Sequence, residues 1–191
     1  MKLFRFAFSS IVVCFFLSSI GSNAQTSVYA SVDATRYGFA SGNTGTFSYS
    51  PGSGTFSYYK IGVGFEGGAT YLFPSRSRLK AGIDLRGMDS PGASGGAGGF
   101  GSLRIAFLPN RKPLSPYFQI GGGVLSTAVV NTAPGVPRTR ISSGALDLDF
   151  GLNIRVNSRF SVRAIEIGGY AGSNLALGSY GAGVIYALPH H

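Results

Sequence analysis

The sequence predicts an all-β chain: an eight-stranded antiparallel up-and-down barrel whose strands cross a membrane. Three observations predict it. Apolar and polar residues alternate with period two in eight segments, and none of them has helical spacing. The connections between the segments are short at one end and mostly longer at the other, the rhythm of an up-and-down membrane barrel. The polar face of the segments carries glycine and charges of both signs, where a water-facing strand would favour threonine, lysine and glutamate.

The chain opens "MKLFRFAFSSIVVCFFLSSIGSNAQ". Lys2 and Arg5 precede an apolar run from Phe6 to Ile20, and Ser22-Asn23-Ala24 is a small-x-small cleavage site. This reads as a secretory leader over residues 1–24, leaving one domain over residues 25–191. The single cysteine, Cys14, leaves with the leader, so the exported chain has no disulfide. Removing Lys2 and Arg5 lowers the formal charge from +9 to +7. Only 12% of residues are charged and 30 are glycine, a composition that suits an exported all-β protein better than a soluble domain.

The expected strands are Val28–Tyr37, Tyr58–Leu72, Leu79–Gly87, Phe100–Leu108, Pro116–Val129, Gly144–Val156, Phe160–Tyr170 and Leu175–Leu188. The sixth is the clearest: Leu146, Leu148, Phe150, Leu152, Ile154 and Val156 share one face, and Asp147, Asp149, Gly151, Asn153 and Arg155 share the other. "PSRSR", "PNRKPLS" and Asn157-Ser158-Arg159 are the short turns. Residues 38–57, "MDSPGASGGAGG" and "VNTAPGVPRTRISS" are the long loops, and only "AGSN" is shorter than this scheme asks. Within the first loop "GTFSY" occurs at Gly45–Tyr49 and Gly54–Tyr58 around Ser50-Pro51-Gly52-Ser53. This predicts a hairpin that prolongs the first two strands. Gly62, Gly64 and Gly67 match a dinucleotide-binding spacing, but the alternation runs straight through them and no helix follows, so they are strand residues.

Charge sorting decides which face looks outward. Strand parity places Lys60, Lys80, Arg86, Arg104, Arg155 and Arg163 inward with Asp33, Glu66, Asp84, Asp147, Asp149 and Glu166, six cations against six carboxylates. The expected lumen is a balanced ion-pair network, and the glycines make room there for Lys60, Glu66 and other charges. The inverse arrangement, a soluble periplasmic barrel with Leu146, Leu148 and Phe150 around an apolar ligand, remains the alternative. Phe73, Phe107, Phe118, Phe160 and Tyr186 cluster beside the short turns as an aromatic girdle. In "RFSVRAIEIGGY", Arg163 and Glu166 share a face only if an extra residue intervenes, which predicts a β-bulge near Ala164–Ile165.

With the strands placed, the chain resembles the outer-membrane β-barrels of the OmpA/OmpX type through "SPYFQIGGGV", "LDFGLNIRVNSRFSVRAIEIGGY" and "SYGAGVIYAL". The resemblance spans the exported chain and implies an outer-membrane location, delivery to the barrel assembly machinery, and contact with membrane lipids and lipopolysaccharide. It implies architecture more than activity, since such barrels include adhesins, wall anchors and lipid-modifying enzymes. Two departures stand out. Chains of this type end on an aromatic residue, whereas this one continues past Tyr186 to Pro189-His190-His191. No wall-binding domain follows the barrel.

Chemistry is sparsely encoded. "GASGG" at Gly92–Gly96 has nucleophile-elbow spacing but lies in a glycine-rich loop, and the only histidines are His190 and His191. The histidine-dependent mechanisms of lipid-modifying barrels are thereby excluded, and no catalytic residue, metal site or cofactor is expected. The cationic excess is spread over turns, which argues against nucleic acid. Arg138 and Arg140 are expected at lipopolysaccharide phosphates, and Arg76, Arg78, Arg111 and Lys112 at periplasmic-side headgroups. The expected function is a small non-catalytic outer-membrane barrel that meets an extracellular protein partner through residues 38–57. A narrow solute pore is the second reading.

Overall fold

The computed structural model describes residues 25–40, 56–91, 96–108, 113–129, 139–172 and 175–189. Eight strands form in chain order: β1 (Gln25–Ala40), β2 (Phe56–Leu72), β3 (Leu79–Asp89), β4 (Gly96–Phe107), β5 (Leu114–Val129), β6 (Thr139–Arg155), β7 (Phe160–Gly172) and β8 (Leu175–Ala187). Each pairs antiparallel with its neighbour in sequence, and β1 pairs with β8 to close the barrel, from Ser27 opposite Ala187 to Phe39 opposite Leu175. Closure leaves no unpaired strand edge, a condition that a sheet in hydrocarbon must meet.

Several strands are longer than the sequence pattern indicated. β1 starts at Gln25 and β6 at Thr139, because backbone pairing continues where the alternation has become polar. The predicted repeat hairpin falls largely outside the described residues, as do the stretch expected to be a leader, the "GASGG" serine and the two histidines. The short turns are held by their own side chains. Asn157 Oδ1 accepts from the backbone N–H groups of Arg159 and Phe160, both at 2.8 Å, and the Val156 N–H donates to the Phe160 carbonyl at 3.0 Å. Ser75 and Ser77 cap the β2–β3 turn in the same way.

The outer surface is apolar. Val32, Ile61, Val63, Phe65, Ile83, Leu103, Ile120, Leu146, Leu148, Phe150, Ile167 and Val184 are exposed, Leu146 at 70% and Leu103 at 64%. A water-facing barrel does not present such a belt, and a membrane-spanning one requires it. The soluble alternative is therefore overturned: Leu146, Leu148 and Phe150 line no interior pocket. Aromatic contacts gather at the short-turn end, with ring centroids 4.8 Å apart for Phe118–Phe150, 5.0 Å for Phe160–Tyr186 and 5.8 Å for Tyr71–Phe73.

The bulge in β7 is present. Pairing with β8 passes from Arg163–Gly183 directly to Glu166–Gly181, and pairing with β6 shifts between Leu152 and Asn153. Ala164 and Ile165 are exposed in succession, while Arg163 and Glu166 are both buried. One extra residue thus restores the parity that two interior charges need.

This assignment of faces predicts the effect of a charge on each side. Leu103→Arg should cost about 2–4 kcal/mol of stability in lipid vesicles, read by reversible denaturant unfolding. Substitution of the half-buried, periplasmic-end Lys80 by Gln should cost far less.

Candidate functional site

The interior has three layers. Toward the long loops, Met88, Phe100, Leu125, Ala145, Tyr170 and Leu177 form an apolar cluster. Toward the short turns, Leu72, Ala106 and Tyr117 form a second, with Leu108 packed against it. Between them lies the charged layer. Arg86, Arg163, Gln119, Asp84, Asp147 and Asp149 are fully buried there, so the cross-section is filled by side chains.

Arg86 is the hub. Its Nη2 donates to Asp147 and Asp149, and its Nη1 lies 3.4 Å from Glu66 and 3.5 Å from Glu166. Arg163 Nη1 completes the group, at 3.2 Å from Glu66 and 2.9 Å from Glu166. Arg104 Nη1 serves a second carboxylate, Asp84, at 3.5 Å, and also reaches Thr70 and the Gln119 side-chain oxygen. Residues far apart in sequence are therefore fastened across the lumen, β3 to β6 and β2 to β7, while Arg104 and Asp84 join the neighbouring β4 and β3.

Neutral donors add further hydrogen bonds to these carboxylates. Tyr29 donates to Asp84 at 2.7 Å and Thr70 to the same carboxylate at 2.6 Å. Ser102 donates to Asp147 at 2.5 Å, Gln119 Nε2 to Asp149 at 2.9 Å and Tyr170 to Glu66 at 3.3 Å. Tyr117 donates to Glu166. The tyrosines also stack against guanidiniums: Arg104 lies 3.6 Å from the Tyr117 ring centroid and Arg163 lies 3.9 Å from that of Tyr29. Strand parity alone could have found these residues, since Tyr29 shares a face with Asp33, and Tyr117 with Gln119. Attention to charge passed over them.

The expected balance of cations and carboxylates does not hold in the buried layer. Asp33, Glu66, Asp84, Asp147, Asp149 and Glu166 are buried, but of the five expected cations whose side chains are described only Arg86, Arg104 and Arg163 are. Arg155 is exposed and Lys80 half-buried, and neither makes an ion pair among the described residues. Both stand near the short-turn ends of their strands, where long side chains reach water more cheaply than they bury a charge. The side chain of Lys60 lies outside the described residues. Hydroxyl and amide donors take the place of the missing cations.

The glycines do make room in the lumen, though for other neighbours than expected. A Cβ on Gly62 or Gly64 would press on Thr35 at 3.2 or 3.1 Å rather than on Glu66. Close approaches also occur at the network itself: Gly151 accommodates the Tyr117 ring, and a Cβ on Gly68 would lie 2.6 Å from the Tyr29 hydroxyl. Below the network, a vestibule of about 130 Å³ opens, lined by Thr70, Arg104 and Asn153 as well as by Leu72, Ala106 and Ile185.

Of the expected headgroup contacts, Arg76 and Arg78 are exposed in the β2–β3 turn. Arg111, Lys112 and Arg138 lie outside the described residues, as does the side chain of Arg140, whose backbone opens β6 opposite Ala128. No group of acidic, histidine or cysteine side chains among the described residues is arranged to hold a metal ion.

Arg86→Ala would strand the carboxylates it joins. The cost is expected to be about 3–5 kcal/mol, as for one partner removed from a buried pair, measured by denaturant unfolding in vesicles. Arg155→Ala should change the same midpoint little. Equal effects would show that the buried network does not dominate stability.

No protein-family model and no curated protein matches the chain. Solved structures do. Ail, the attachment invasion locus protein of Yersinia pestis, determined in complex with the heparin analogue sucrose octasulfate, is 15% identical with a TM-score of 0.56, covering 87% of this chain and 99% of that one. Neisserial surface protein A is 13% identical with a TM-score of 0.55, over 85% of this chain and 97% of that one. The N-terminal β-barrel domain of OprF from Pseudomonas aeruginosa is 14% identical with a TM-score of 0.55, over 86% and 99% respectively. Together with the closed antiparallel order of the strands, these likenesses show that the chain has the fold of the small eight-stranded outer-membrane β-barrels.

Proposed function

We propose that the chain is a small, non-catalytic outer-membrane barrel. Its charged lumen is structural, and its function is carried by the loops at the extracellular end. The observation that carries this reading is the filled cross-section: Arg86, Arg163, Gln119, Asp147 and Asp149 are fully buried and joined to one another across the barrel. Such an interior holds the strands in register and leaves the loops free to vary. Catalysis is disfavoured by the chain's inventory, since its only histidines are His190 and His191.

The longest connection, residues 41–55 within the stretch 38–57 singled out in the sequence, is the proposed contact for an extracellular partner. Its composition, with Phe47 and Tyr49 among serine, threonine and glycine, suits adaptable recognition by aromatic anchors and small polar groups. Arg138 and Arg140 at the β5–β6 connection add positive charge at the same end, and Ail, of the same fold, was crystallised with a sulfated sugar. An anionic surface glycan is therefore a second class of partner for these loops. Insertion would proceed through the barrel assembly machinery, with Tyr186 as the last aromatic residue of β8. The amino-terminal 24 residues act as the export leader in this reading.

Two measurements test it. Cells displaying the full-length protein should bind host-surface proteins or sulfated glycan arrays, and a variant with residues 41–55 replaced by a short Gly-Ser linker should lose protein binding while remaining heat-modifiable on gels. Planar bilayers containing the purified barrel should show no steady conductance. Stable single-channel steps would instead favour the narrow-pore reading.

A further inference from the structure

The lipid-facing surface is not uniformly bulky. On the long-loop half of β7 and β8 the outward positions are Gly169, Ala171, Ala176 and Gly178, with Gly169 opposite Gly178 and Ala171 opposite Ala176. These four small residues floor a groove of about 680 Å³. Leu148 lies opposite Gly169 and Leu146 opposite Ala171, so β6 forms one wall, with Ile120 beyond it. Tyr180 stands at the end toward the short turns. On the other side Arg36 of β1 lies opposite Gly178 and also lines the groove. Arg36 is exposed, and it is the one outward-facing cation among the described strand side chains.

The barrel's own packing does not call for glycine on this floor. A Cβ on Gly178 would meet nothing within 4 Å, and one on Gly169 would meet only the Leu148 carbonyl at 3.9 Å. That separates them from lumenal glycines such as Gly68 and Gly151, where a larger neighbour occupies the space. Glycine weakens a strand, and where the strand itself gains nothing from it, it marks close approach by something outside. The walls are aliphatic, the floor is nearly bare backbone and the rim is a guanidinium. This chemistry complements an amphiphile with an extended acyl chain and a phosphate.

We propose that the groove seats an acyl chain of lipopolysaccharide, the phosphorylated glycolipid of the outer leaflet, with a phosphate against Arg36. The proposal rests on the reading of the chain as an outer-membrane barrel. The groove lies on the half of the barrel nearer the long loops, hence in the outer leaflet. A guanidinium placed at the edge of an apolar surface can lift its charge to the headgroup level while its stem lies along the chain.

The test uses the full-length protein purified from outer membranes in mild detergent, with bound lipid counted by native mass spectrometry after titration with purified lipopolysaccharide. Wild type should retain one lipopolysaccharide under conditions that strip phosphatidylglycerol. Gly178→Leu and Gly169→Leu, which fill the floor without a backbone clash, should each reduce retention about tenfold, and Arg36→Gln should do the same, as expected for one lost charge-assisted contact. Dephosphorylated lipopolysaccharide should bind wild type no better than intact lipopolysaccharide binds Arg36→Gln. Unchanged retention in heat-modifiable Gly178→Leu and Arg36→Gln would overturn the proposal. So would a change from dimer to monomer with lipid retention intact, which would assign the groove to a second copy of the chain. Should a leucine variant fail to form the barrel, Arg36→Gln and the dephosphorylated lipid decide the matter alone. A wild-type protein without a heat shift would sink the barrel reading itself, not the groove.

Discussion

Six buried carboxyl groups in one narrow lumen set the terms for the rest of this structure. An uncompensated carboxylate in such a site costs several kcal/mol even after relaxation, on the order of what keeps a whole domain folded. Arg86 answers four of them at once from a single position on β3, Arg163 shares Glu66 and Glu166 with it, and Arg104 answers Asp84, with help from three tyrosines. Because the partners come from β2, β3, β4, β6 and β7, these strands are tied at one height. Slippage of any one by a single residue would exchange its lumenal and lipid-facing sets.

The layers above and below follow from the same constraint. A buried ionic group gains strength as water is excluded. The apolar cluster of Met88, Phe100, Leu125 and Leu177 excludes it from the extracellular side, and Leu72 and Ala106 restrict it from the other. Outside, the solvent is hydrocarbon, so the aliphatic face that a soluble barrel would hide is turned outward. The interior is thus the polar core of an inverted protein. Its glycines act as sockets for large polar side chains, much as small residues accommodate large ones in an aliphatic core.

Much of this was legible in the sequence, and the parts that were not share a cause. Alternation along Leu146–Val156 reports the face of each side chain directly, because parity is a property of a single strand. The bulge was legible for the same reason: Arg163 and Glu166 conflict within one short segment. Depth along the lumen is different. Arg155 and Lys80 have the parity of lumen residues, yet they stand near the short-turn end, and only the position of the strand ends shows that they reach water. Contacts between strands are more distant still. That Gly68 receives Tyr29, or that Gly169 and Gly178 adjoin Leu148 and Arg36 in one groove, depends on the register of several strands at once. Tyr29, Tyr117, Tyr170 and Gln119 were overlooked because a search by charge does not weigh neutral donors.

The central claim is that the aliphatic face meets lipid while the ionic face is sealed inside. It is most directly measured by spin labels placed one at a time at residues 146 to 152 of β6, in protein reconstituted into phospholipid vesicles. The chain's single cysteine, Cys14, lies in the stretch read from the sequence as an export leader and is replaced by serine for this measurement. The account predicts that collision with oxygen is high at 146, 148, 150 and 152 and low at 147, 149 and 151, while a water-soluble nickel chelate reaches neither set. High nickel-chelate accessibility at 147 and 149 would mean an open aqueous lumen. High accessibility at 146, 148 and 150 would mean that these residues face water, and either result would contradict the sealed, inverted barrel described here.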